Sequence, residues 1–218
     1  MGLLFYFSNI LLSIPLLYMG LKRFVLLDKA ARILLLMCFV TFIGELIAAY
    51  FAFKHHNNLW VYNILDLLFS ILTWYYFQQH IPLLQRRSIQ YACVFFYVAL
   101  WLITSHYTNF SINMNIGFVS AIGITTIIMS IVALDHLIAQ KKQSLYSIIY
   151  DPHFWFSLIL LAYWSFSLMQ WMLLTYLIPQ TTDQQLIASS LLWANNLLNI
   201  SNTIVFYAYP KMIKKNAR

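Results

Sequence analysis

Seven long runs of mostly apolar residues occupy nearly the whole chain, separated by short polar segments. They cover residues 3–20, 31–53, 58–77, 89–105, 113–138, 152–178 and 186–209. About 20 such residues are needed for a helix to cross the hydrocarbon of a bilayer. Segments such as LLFYFSNILLSIPLLYMG and FWFSLILLAYWSFSLMQWMLLTYLI are apolar on every face, so they predict helices and exclude the alternating pattern of an outer-membrane barrel. Charged residues make up only 9% of the 218, against roughly 25% in soluble domains, too few to cover a water-facing surface. The predicted fold class is therefore an all-α integral membrane protein, a seven-transmembrane-helix bundle forming one domain over residues 1–218.

Basic residues predict its orientation. Lys22, Arg23, Lys29 and Arg32 lie around the first linker, Arg86 and Arg87 in the third, and Lys141 and Lys142 in the fifth. Lys211, Lys214, Lys215 and Arg218 end the chain. Alternate linkers thus carry twelve of the thirteen Lys and Arg, leaving Lys54 alone on the other side. Short basic loops stay in the cytoplasm during insertion, which puts the N-terminus outside and the C-terminus inside. The net charge of +7 follows from this arrangement, with attraction to anionic lipid headgroups as a side effect. Scattered over four short segments, the basic residues predict no nucleic-acid surface. The first run lacks a basic start and a small-residue cleavage site, so it is expected to be retained as a span. Cys38 and Cys93 fall within predicted spans and form no metal-type pair.

The linkers leave no room for a soluble catalytic or binding domain, so function is expected from polar groups inside the spans. Ionisable groups in a bilayer are costly and tend to mark function. Glu45 and Asp66 are such groups, while Asp135 lies near a membrane boundary. Counted at ~1.5 Å per residue from the outer helix ends, Glu45, Asp66 and Gln170 each lie ~12 Å deep, Asn195 ~13 Å and Asn9 ~9 Å. Faces agree with depths at helical spacing: Cys38, Thr41 and Glu45; Asn63, Asp66, Ser70 and Thr73; Tyr163, Ser167 and Gln170; Asn195, Asn199 and Asn202. The expected ligand-binding set is Glu45, Asn63, Asp66, Gln170, Asn195 and Asn199. The plainer reading of each Asn is a bridge between helices, at about 0.6 kcal/mol per bond.

No catalytic residues are read, because neither a nucleophile nor a metal pair stands beside the acids. His80, His136 and His153 with Asp135 and Asp151 could hold a metal only without any helical HxxxH pre-alignment, so they are read as boundary residues. No metal and no cofactor are expected. Span seven has no Lys for a retinal Schiff base. The only Pro-Gln pair, Pro179–Gln180, lies in a linker rather than inside a helix as PQ-loop carriers require.

NNLWVYNILDLL in span three, HFWFSLILLAYWSFSL in span six and WANNLLNISNTIVFYAY in span seven carry a family likeness. With these stretches, its length and its span pattern, the chain resembles a group of small seven-helix membrane proteins of Bacteroidota-type bacteria. The resemblance implies a multi-pass protein of the bacterial inner membrane, and its association with signalling implies a sensor. The functional expectation is a receptor or sensor that takes a small ligand or lipid from the outer side into the polar layer and acts through a cytoplasmic or membrane signalling partner. The alternatives are a small-solute or proton-coupled transporter and a membrane-embedded hydrolase using the same acids, with non-enzymatic function favoured.

Overall fold

The structure is a computed structural model, and it describes the backbone of residues 2–54, 56–108, 114–140, 145–172 and 183–216. Among the described residues, seven helices of 20 residues or more follow one another: α1 (Gly2–Lys22), α2 (Lys29–Phe53), α3 (Leu59–Gln78), α4 (Arg87–Thr108), α5 (Ile116–Gln140), α7 (Pro152–Met172) and α8 (Asp183–Asn216). A five-residue helix, α6 (Leu145–Ile149), precedes α7, and no strand occurs among the described residues.

Helix ends follow local chemistry. The Asp28 carboxylate accepts from Ala31 N at 2.9 Å and caps α2, so this helix starts at Lys29, ahead of the apolar run. Asp151 does the same for α7, accepting from His153 N at 2.8 Å, and Asn115 caps α5 through Phe118 N at 3.2 Å. At the far end of the chain, α8 passes Pro210 and carries the basic residues Lys211, Lys214 and Lys215 in helical form. The part of the sixth predicted span after Met172 lies outside the described residues.

Among the described residues, four helices are long and apolar enough to cross a membrane: Lys29–Phe53, Arg87–Thr108, Ile116–Gln140 and Pro152–Trp171. Phe7–Lys22 is a shorter apolar helix. α3 and α8 fall short of that measure for a compositional reason. α3 carries Asn63, Asp66, Gln78 and five tyrosines and tryptophans among its leucines, and α8 carries an asparagine ladder and a lysine-rich end. Outward side chains point to an apolar surrounding. Of α4 only Tyr97 is buried, while Phe95 is 74% and Tyr107 82% exposed. An apolar surface of this extent is not a water-facing one.

The helices group into two compact units, residues 28–122 and residues 1–27 with 123–218. In the first, α2 and α3 pack antiparallel and α4 packs on α3. The two helices approach closely at Gly44, where a Cβ would stand 2.7 Å from Leu65 Cγ. In the second unit α8 runs parallel to α1 and antiparallel to α7. Phe156 of α7 meets Phe206 of α8 with ring centroids 5.1 Å apart, and both rings are buried. Lysines lie over tyrosines at one end of this unit: Lys22 over Tyr18, Lys211 over Tyr207 and Lys215 over Tyr150.

Candidate functional site

The six expected ligand residues divide between the units, and each group has its own geometry. In the first unit, Glu45 is 7% exposed and its Oε2 accepts the Tyr62 hydroxyl at 3.1 Å. Two further contacts fix the register: Gly44 against Leu65, and Asn58 Nδ2 donating to Ala48 O at 3.3 Å. Antiparallel pairing through these points puts Tyr62 level with Glu45. Asp66 falls level with Thr41, four residues or ~6 Å farther along. The two acids therefore do not share the depth that counting from the helix ends gives them. The connection folds back along α2 through His56 N donating to Phe51 O, so α3 begins beside Ala48 instead of beside Phe53.

Asn63 is fully buried in a node of hydrogen bonds. Its Oδ1 accepts from Asn115 N at 2.8 Å, and its main-chain oxygen accepts from Trp101 Nε1 at 2.8 Å. Asn115 Nδ2 in turn donates to Thr104 Oγ1 at 2.8 Å and Ser105 Oγ at 3.0 Å. This node ties the start of α5 to α3 and α4, and Asn63 serves there as a bridge. Asp66 differs: its Oδ2 is buried and has no hydrogen-bond partner among the described residues.

In the second unit, Asn195 Oδ1 accepts the Tyr163 hydroxyl at 2.6 Å. Asn199 Nδ2 donates to Asn9 Oδ1 at 2.6 Å and to Ser13 Oγ at 3.1 Å, and Asn196 Nδ2 to Ser8 Oγ at 3.0 Å. The ladder on α8 thus ties α1 and α7 to it. Gln170 is 9% exposed and lies seven residues past Tyr163 on α7, ~10 Å from the level of Asn195.

Compared with known proteins, the chain matches no family model, no curated protein and no solved structure. Function must therefore be argued from these side chains. Sequence reasoning found Glu45, Asn63, Asp66, Asn9 and the α8 asparagines because a polar residue stands out in an apolar run. It did not single out Tyr62, nor Asn115, which sits where a predicted span begins. An Asn directly before an apolar helix is an N-cap signal, so Asn115 was findable. Among the described residues no three His, Cys, Asp or Glu side chains gather around a possible metal position. The chemistry on offer is hydrogen bonding to a buried carboxylate.

Proposed function

We propose that this chain is a seven-span receptor or sensor of a bacterial inner membrane, N-terminus outside, binding a small ligand or lipid from the outer side. Its ligand meets the α2–α3 acids, Glu45 and Asp66, and a partner at the basic side reads the outcome. The observation that carries the reading is the buried Asp66 Oδ2 with no protein partner among the described residues. A buried polar atom left unpaired costs about 1–3 kcal/mol, so a bound donor is favoured there. Asn63, Asn195 and Asn199 already serve protein partners, as Glu45 does through Tyr62, so the reading rests on Asp66.

Melting temperature in detergent, with and without total lipid extract, tests this. Asp66→Asn is expected to fold and to lose the stabilisation that extract gives the natural chain. Asn199→Leu is expected to melt lower yet keep that stabilisation, because it removes a helix bridge. An Asp66→Asn protein that keeps the full extract-induced increase sinks the reading.

A second reading is a proton-coupled carrier. It is supported by further buried atoms without a partner among the described residues, Thr73 Oγ1, Trp74 Nε1 and Gln78 Oε1, which follow Asp66 along α3. A carrier in vesicles acidifies or alkalises the lumen when its solute is added, and a receptor does not.

A further inference from the structure

Four buried polar atoms without a partner among the described residues lie on α3: Asp66 Oδ2, Thr73 Oγ1, Trp74 Nε1 and Gln78 Oε1. Thr73 is 1% and Trp74 3% exposed. With Ser70, also buried, they make a row at positions 66, 70, 73/74 and 78, about one helical turn per step. Four residues rise ~6 Å along a helix. One water accepting and donating bonds of ~2.8 Å spans that distance between two side chains. The row is therefore spaced for one water per step.

Local habits of the chain strengthen the argument. A helix hydroxyl can bond its own preceding turn, and some here do. Thr41 Oγ1 donates to Met37 O at 2.9 Å and Thr203 Oγ1 to Asn199 O at 2.7 Å. Thr73 does not, although burial removes bulk water as an alternative. Ser70 Oγ donates to Leu67 O at 2.7 Å and keeps its lone pairs for a second donor. An indole N–H is a donor only and, when buried, usually finds an acceptor. Trp101, bonded to Asn63 O, does so.

We infer that the buried side of α3 from Gln78 to Asp66 is a water-lined path, by which the Asp66 carboxyl exchanges protons with the aqueous phase at the Gln78 end. The waters bridge Gln78, Thr73 with Trp74, Ser70 and Asp66 in turn. A hydronium at the Gln78 end passes its proton along the row to Asp66 Oδ2, each water receiving one proton and releasing another, with no other reactant. The path leads to the side where Arg86 and Arg87 lie, the side away from the ligand's entry.

Indole N–H exchange in D2O tests it on the full chain in lipid nanodiscs, with no ligand present. Its failure therefore leaves the ligand reading to its own melting experiment. Bands are assigned with Trp74→Phe and Trp101→Phe. Trp74 is expected to exchange ~10-fold or more faster than the hydrogen-bonded Trp101. Equal or slower exchange of Trp74 means a dry row and overturns the path. Thr73→Val provides a second reading that needs no band assignment. It removes a water-bonded hydroxyl if the path is wet, and the melting temperature falls. In a dry row it removes an orphan, and an unchanged or higher melting temperature overturns the proposal.

Discussion

Asn115 holds three other parts of the protein at once. Its side chain caps α5 and holds Thr104 and Ser105, and its main-chain N–H holds Asn63. Asn115→Ala keeps the main-chain bond and loses the others. With a cap worth ~1 kcal/mol and two bridges near 0.6 kcal/mol each, the expected loss is about 2 kcal/mol by denaturation in mild detergent. Asn115→Asp keeps the capping oxygen and gives up both donations, so it should fall between the two. An Ala variant as stable as the natural chain would show that the node is dispensable. Residues of this kind divide sharply in how readable they are. Asn63 and Asn199 declare themselves by being polar in an apolar run, but their roles do not. Whether such a side chain meets a ligand or another helix is decided by a partner more than 50 residues away, on which composition is silent.

At the scale of elements, the helices were readable because apolar length alone decides them, whereas the caps Asp28, Asn115 and Asp151 that fix three of their starts were not read. Register was not readable. It depends on where Asn58 meets α2, and equal counting from two helix ends assumes that both start at one level. Gly44 is the point that lets α2 and α3 close on that register. Gly44→Val is expected to cost 1–3 kcal/mol through overpacking against Leu65, and to loosen the Tyr62–Glu45 bond. Leu65→Ala alone also destabilises, by opening a void. Combined, the two should cost clearly less than their sum, because the added methyls occupy the space that Leu65 vacates. Strict additivity in that thermal-denaturation cycle would mean the two residues do not touch.

For the whole molecule, the asymmetry of Lys and Arg leads to a direct expectation. Reporter fusions after Arg87 and after Lys142 should read cytoplasm, and fusions after His106 and after Thr182 should read outside. One reversed fusion means that a helix does not span, and α3 and α8 are the first to re-examine, since neither meets the apolar measure that α2, α4, α5 and α7 meet. The same compositional weakness goes with polar side chains, for these two helices carry Asp66 and the asparagine ladder. α8 has a mechanical property as well. Its 34 residues make a rod of ~51 Å, against a hydrocarbon thickness of ~30 Å. Lys215 lies 16 residues, or ~24 Å, beyond Asn199, so a pivot of ~5° at the ladder swings the rod's tip by ~2 Å. The tip is latched by Lys215 Nζ donating to Tyr150 OH at 3.0 Å, and a hydrogen bond does not survive a stretch of that size. The lever arm thus turns a rearrangement too small to see at the ladder into a latch that is open or shut.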